Sequence, residues 1–245
     1  MSLAAPLART LGIALLAAAV LKPEAFAPLL QPLTNNGAPA IYTQTSLLAL
    51  TASHVELVLA SILAAFVVAL GLAILVTRRF GAEFLPLSRS IVNIGQTFPP
   101  VAVLALAVPA VGFGLAPTLF ALFLYGLLPI FENAVAGLNA AGPPVMEAAR
   151  GVGLTPWQRL WRVELPLALP LIVSGLRLSV VVGLGTATIG STVGAPTLGE
   201  VIIAGLLSGN TAFVVQGAVI VGLLAVLVFD GLTVLERRLA LPRRG

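Results

Sequence analysis

Residues Glu147–Pro170 read EAARGVGLTPWQRLWRVELPLALP. Five charged side chains, Glu147, Arg150, Arg159, Arg162 and Glu164, fall within eighteen positions here, beside both of the chain's tryptophans. The surrounding sequence is of another kind. Of 245 residues, 59% are hydrophobic and 9% charged, and the mean hydropathy is +1.09. Soluble domains carry about a quarter charged residues, so this composition is that of an integral membrane protein. The basic residues punctuate apolar runs, which is a topology signal and not a nucleic-acid-binding patch. The chain has no cysteine and one histidine, His54. That excludes disulfide frameworks and thiolate chemistry and argues against a His-rich metal site.

Working outward from the island, Leu165–Val193 holds a span interrupted only by Arg177. A last span covers about Ala212–Leu232 after SGNT (Ser208–Thr211). Between them, GEVIIAGLLSG (Gly199–Gly209) is too short to cross and is expected as an interfacial or re-entrant helix. Upstream, Ser90–Phe131 runs forty-two residues without a charge, roughly twice what the hydrocarbon core needs. It must fold back, and VPAVGFGLAP (Val108–Pro117) supplies the turn. Two helices result, about Ile91–Val111 and Thr118–Ala140. Leu57–Val76 is a further uncharged run of twenty residues, closed by Arg78 and Arg79.

The N-terminus reads in two ways. Leu11–Leu21 is apolar, follows Arg9 and precedes Ala25-Phe26-Ala27, the pattern of a signal peptide with an A-x-A site. The alternative, which we favour, is a retained first helix from about Leu3 to Leu21. The expected fold class is all-α, a polytopic membrane helix bundle with five to six transmembrane helices. Residues 1–49 form the N-terminal helix and an external segment, 50–235 the transmembrane domain with a loop at 142–166, and 236–245 a basic tail. Arg9, Arg78, Arg79, Arg89, Arg150, Arg159, Arg162, Arg237, Arg238, Arg243 and Arg244 fall on one set of flanks and only Lys22 on the other. The positive-inside rule makes the first set, with the island and the C-terminus, cytoplasmic.

Local signals resolve the island into two short helices. Gly142-Pro143-Pro144 opens the first, since proline is tolerated in a first turn. Glu147 sits near its N-terminus, where the dipole favours a carboxylate. Gly151 and Gly153 stop it. Thr155, Pro156 and Gln158 then form a T-x-x-Q capping box with proline at the first helical position. Leu154, Trp157 and Trp161 share one stripe, with Arg159 and Arg162 on another side. Two readings fit: an interfacial helix with tryptophans among lipid headgroups, or a helix presented to a groove on a cytosolic partner, because Trp and Arg dominate such contacts.

The spacing resembles a known family. Glu147-Ala148-Ala149, three residues, Gly153, nine residues, Val163, one residue and Leu165-Pro166 is similar to the EAA loop of ABC-importer permeases, the inner-membrane components of binding-protein-dependent transport systems. That pattern is EAA-x3-G-x9-I-x-LP, and the one departure is Val163. Over roughly Leu50–Leu235, the stretches Ile94–Leu138, Arg162–Arg177 and Gly185–Ile202 resemble the subgroup importing glycine betaine, carnitine, choline and related osmoprotectants. Glu132 departs from that subgroup, where a basic or polar residue is expected. The resemblance implies a type I ABC-importer permease fold in a bacterial inner membrane. It implies a cytosolic ABC ATPase dimer as partner, a second permease copy or paralogue, and an extracytoplasmic solute-binding protein. It implies that Glu147, Ala148, Ala149, Gly153, Trp157, Arg159, Trp161, Leu165 and Pro166 make the ATPase-coupling surface. The chain itself is then no enzyme and holds no cofactor; ATP and Mg belong to the partner. Consistently, no G-x-x-x-x-G-K-[ST] occurs in it.

The pathway is less sharply written. Asn93, Gln96 and Thr97 precede Pro99-Pro100, which must disturb the helix, either as a lining segment or as a kink with satisfied amides. Glu132, Arg177 and Asp230 are candidate intramembrane charges, with Glu132 and Arg177 at similar depth and so a candidate pair. Ser179, Gly183, Ala187 and Ser191 form a small-residue packing stripe, while Thr186 and Thr188 are candidates to face a polar path. His54 and Glu56 read as interfacial anchors. Tyr42, Tyr125 and the phenylalanines show no clustering that would cage a quaternary ammonium. Two alternatives to an importer subunit are an ion-coupled transporter or channel using Glu132 and Asp230, and a membrane scaffold that recruits a cytosolic protein.

Overall fold

A backbone amide in hydrocarbon must find its partner within its own segment, so the apolar runs become helices. The computed structural model describes residues 4–35 and 37–239, and among them there is no β-strand. The helices are α1 (Ala4–Leu21), α2 (Leu47–Val76), α3 (Leu85–Thr97), α4 (Pro100–Val111) and α5 (Leu115–Leu138). After the island come α8 (Leu165–Thr186), a 3-10 stretch Ala187–Val193, α9 (Gly199–Ser208) and α10 (Thr211–Leu239). The island itself holds α6 (Pro143–Gly151) and a single turn α7 (Pro156–Arg159), followed by a π-turn Leu160–Glu164.

Among the described residues, four helices are long and apolar enough to cross a membrane: Leu47–Val76, Leu115–Leu138, the continuous stretch Pro156–Val193 and Thr211–Leu239. Two bent pairs bring the count to six if each is one span. The first, Pro6–Leu21 with Pro23–Leu33, turns by 106° at Lys22. The second joins Ala82–Thr97 to Pro100–Val111. The single helix expected over Ile91–Val111 is therefore broken, because Pro99 and Pro100 both lack an N–H and Pro99 takes an extended ψ of 143°. The expected span from Leu57 starts ten residues earlier, at Leu47, and within it the Thr51 and Ser61 hydroxyls bond the Leu47 and Leu57 carbonyls, so these polar side chains are satisfied inside the helix. The α10 helix carries Arg237 and Arg238 in its last turn, favourably placed for its dipole. Arg243 and Arg244 of the expected basic tail, and Leu3 of the expected first helix, lie outside the described residues.

The chain divides into two compact units. One takes residues up to Ser61 with Pro99–Leu122 and Val181–Val228; the other takes Ile62–Phe98, Phe123–Val180 and the residues from Phe229 onward. In the first, the irregular segment before α2 is bolted to α9 and α10. Asn210 donates to the Pro39 carbonyl at 2.9 Å, and the Tyr42 amide donates to Gln216 Oε1 at 3.0 Å. Tyr42 and Thr45 hydroxyls both donate to Glu200, at 2.6 and 2.5 Å, and the Tyr42 ring meets Phe213 edge-on. Burial, reinforced by the Glu200 carboxylate, raises the Tyr42 phenol above its usual pKa, so it stays a donor.

His54 lies in the same unit and is fully buried. Its Nε2 meets the Leu184 carbonyl at 3.0 Å and its Nδ1 accepts the Leu198 amide at 3.3 Å. The expectation of an interfacial anchor is thus corrected. Where α8 gives way to the 3-10 stretch and α9 begins, backbone groups lose helical partners, and the imidazole supplies one donor and one acceptor to them.

In the second unit, the part of α5 from Phe123 onward packs closely against its neighbours. A Cβ on Gly126 would meet Ile62 and Ala65 of α2, one on Gly137 would meet Ala168, and one on Gly175 would meet the Pro129 carbonyl at 2.6 Å. Ala65, Ala69, Ala73, Ile130, Phe131, Ala134 and Ala168 are fully buried. Small residues let these helices approach closely, where dispersion and not water exclusion holds them. Ser179, in the expected packing stripe, donates to the Gly126 carbonyl at 3.0 Å.

Candidate functional site

The island folds as its caps dictate. Gly142 stands at the N-cap of α6 with Pro143 in the first turn. At the other end, the Gly153 amide donates to the Arg150 carbonyl at 2.9 Å and the Leu154 amide to Ala149 at 3.1 Å. Gly153 has φ +80°, a left-handed conformation that side chains resist, so the hinge requires glycine. Gln158 N–H then donates to Thr155 Oγ1 at 3.3 Å and Thr155 N–H to Gln158 Oε1 at 2.9 Å, the complete capping box. Such a cap contributes about 1 kcal/mol.

The second island helix is not free-standing. It is one turn, α7, that runs through the π-turn Leu160–Glu164 directly into α8. LPLALP is therefore helix, with Pro170 inside it. A π-turn adds a residue to the helical ring and lets the island and the span keep different faces on one rod. Two contacts hold the rod. Leu160 is buried, and Glu164 receives a two-pronged bond from Arg78, with Nη1–Oε1 at 3.2 Å and Nη2 on Oε2. Their side chains are 6% and 19% exposed, so the pair is largely desolvated. Sequence reasoning assigned neither residue this role. The available signal was an acidic residue directly before an apolar run, which must find a counter-charge.

What the loop leaves outside is equally informative. Val152, Trp157 and Trp161 are 77%, 65% and 56% exposed, and the two indoles contact each other edge-on at 5.7 Å. Glu147, Ala148, Arg150 and Pro166 are exposed, Ala149 is buried, and Leu165 is half-buried. Arg159 folds back to donate to the Leu154 carbonyl at 3.3 Å. The island thus presents an apolar, aromatic and charged surface on a stiff base.

The pathway candidates separate into groups. Gln96 Nε2 donates to the Tyr125 carbonyl at 3.0 Å, and the Tyr125 hydroxyl donates to the Phe98 carbonyl at the proline break. The first bond supplies the Tyr125 carbonyl, whose helical donor position is taken by Pro129, and the second supplies the Phe98 carbonyl at the break. Thr97 returns its hydroxyl to Asn93, leaving the Asn93 side chain exposed. Thr188 bonds the Gly185 carbonyl, and Thr186 and Asp230 are half-buried. Glu132 pairs with Arg89 in a bidentate fork, at 2.9 and 3.0 Å. Arg177 instead meets Glu236 at 2.6 Å, donates to Thr233 and Ser174, and lies 4.8 Å over the Phe229 ring. The candidate pair of Glu132 with Arg177 is thus corrected: equal depth along a bundle does not specify which helix face a side chain occupies.

Four similarities to known proteins accompany this geometry. Residues 69–241 match the family described as "Binding-protein-dependent transport system inner membrane component". The chain is 39% identical over 197 residues to the osmoprotectant import permease protein OsmY of Salmonella typhimurium, covering 80% of this chain and 84% of that one. It is 35% identical over 212 residues to the choline transport system permease protein OpuBB of Bacillus subtilis, covering 86% and 93%. The fold matches a chain of the MetNI methionine ABC transporter, solved in inward-facing conformations, with a TM-score of 0.70 at 23% identity over 80% of this chain and 96% of that one. The match covers more than half of the chain and includes the whole capped loop, and the chain belongs to the binding-protein-dependent transport system inner membrane component family.

Proposed function

We propose that the chain is the permease subunit of an ATP-driven importer for osmoprotectants of the glycine betaine, carnitine and choline class. The observation that carries the reading is the continuous helical stretch Pro156–Val193, whose first turn is the capped second helix of the island and whose remainder is a span. Force applied to Trp157 or Trp161 by a cytosolic ATPase would enter this helix beyond the Gly153 hinge and pass along it into the membrane. Closure of the ATPase dimer would then move two permease copies, or this chain and a paralogue, between inward- and outward-facing states. A solute-binding protein would deliver the solute from outside. The coupling surface comprises Glu147, Ala148, Ala149, Gly153, Trp157, Arg159, Trp161, Leu165 and Pro166. Asn93, Gln96, Thr97, Glu132, Thr186 and Thr188 are assigned to the pathway.

The charge distribution supports a cytoplasmic island. Of the described basic residues, only Arg9 and Lys22 belong to the first unit; the other nine belong to the unit that contains the loop. The test is reconstitution with a candidate ATPase and binding protein, measuring labelled glycine betaine uptake with and without ATP. Uptake driven by an ion gradient alone refutes the proposal. Gly153→Trp and Trp157→Asp should abolish uptake and ATPase association with membrane insertion intact; normal uptake in both removes the island as the coupling element.

A further inference from the structure

Behind the island, where α2 and α5 end, is a pocket of about 380 Å³. Arg78, Arg79, Arg150 and Arg159 line it, and Glu164 is the one carboxylate in its wall. Both Glu164 oxygens are taken by Arg78. Arg79 and Arg150 are exposed, and among the described residues neither forms an ion pair. The Nε atoms of Arg78 and Arg159 are buried without a partner. Four cations therefore surround a cavity with one negative charge, and several guanidinium donors are unused. Like charges gathered this closely repel unless an anion joins them, and guanidinium forks match phosphate oxygens in particular. Phe80 and Met146 add an apolar side to the same pocket.

We propose that this pocket binds a phosphate group, held mainly by Arg79 and Arg150 with Arg159 behind them. The headgroup of an anionic phospholipid is one source, because the spans end at the pocket and basic pockets between membrane helices take such groups; free phosphate is the other. Occupancy would brace α6 and α7 against the end of α2. The site does not depend on the transported solute; it shares Arg159 with the proposed coupling surface, whereas Arg79 and Arg150 lie outside that set.

The test uses the full chain purified in a neutral detergent. Phosphatidylglycerol, with phosphatidylcholine as control, is titrated against the fluorescence of Trp157 and Trp161, the chain's only tryptophans. Sodium phosphate is titrated separately against sodium chloride at equal ionic strength. Saturable binding is expected for phosphatidylglycerol and not for phosphatidylcholine. Arg79→Gln and Arg150→Gln should each weaken it about five-fold, and the double variant about twenty-five-fold. Lys22→Gln, the same charge change elsewhere, should leave it unaltered. Saturation by phosphatidylglycerol but not by inorganic phosphate identifies the headgroup as the source; equal saturation by both identifies free phosphate. Failure of both probes, wild-type binding by the folded Arg79→Gln and Arg150→Gln variants, or an equal loss in Lys22→Gln overturns the site. Failure of both probes with arginines shielded from phenylglyoxal only when the ATPase is bound would assign the pocket to an acidic protein segment instead.

Discussion

Replacing Glu164 by glutamine leaves Arg78 charged in a place that already holds three other arginines. Breaking a buried ion pair by removing one partner costs about 3–5 kcal/mol, because the remaining charge stays desolvated. Arg78 keeps some solvent, with 19% of its side chain exposed, and glutamine retains one acceptor, so about 2–3 kcal/mol is expected here. At about 2–4 °C per kcal/mol for a chain of this size, the melting temperature in detergent should fall by about 5–10 °C. Arg78→Met alone should cost a similar amount, by stranding Glu164. The double variant Arg78→Met/Glu164→Met removes both charges and substitutes packing of similar volume, an exchange that is often neutral. Its loss should therefore be smaller than the sum of the single losses by about 1.5 kcal/mol or more. Uptake by the reconstituted complex should follow the same order, since the pair fixes the rod at the π-turn. Losses that add within about 0.5 kcal/mol would show that the two side chains do not act as a pair and would refute the bracing of the rod.

Three further outcomes follow from the packing. Gly175→Ala puts a Cβ 2.6 Å from the Pro129 carbonyl, so thermal stability should drop, whereas Gly71→Ala, with nothing within 4 Å, should cost nothing measurable; equal melting temperatures would contradict the close approach of α8 to α5. His54→Leu strands the Leu184 carbonyl and the Leu198 amide, at about 1–3 kcal/mol per buried group, and hydrogen exchange should quicken at the start of α9; unchanged protection there would contradict the two-sided bond. Thr155→Ala removes the cap of α7 at about 1 kcal/mol, and should lower uptake several-fold while insertion and expression stay normal; wild-type uptake would show that coupling tolerates a frayed loop.

Much of the site was legible because caps and turns are local. Thr155, Pro156 and Gln158 act on their own neighbours, and Gly153 needs only its own φ, so spacing alone located them. The proline break at Phe98–Pro100 was expected as a disturbance, but the bond from the Tyr125 hydroxyl to the Phe98 carbonyl was not, since Tyr125 lies on a different helix. Glu132 and Arg177 show the same limit. Both were recognised as costly charges, yet their partners, Arg89 and Glu236, lie forty-three and fifty-nine residues away.

By itself, the sequence determined that this chain is a helical membrane bundle with a capped loop of EAA spacing, because hydropathy and capping act over one or a few turns. Only the tertiary structure decided that the loop's second helix is the end of a span, that His54 is a buried backbone clamp, and that four arginines converge behind the island. Those outcomes depend on which faces of separate helices meet. In a chain where nearly every helix is apolar all round, periodicity carries little information about faces, and the close approach of glycines and the pairing of a few charges settle them instead.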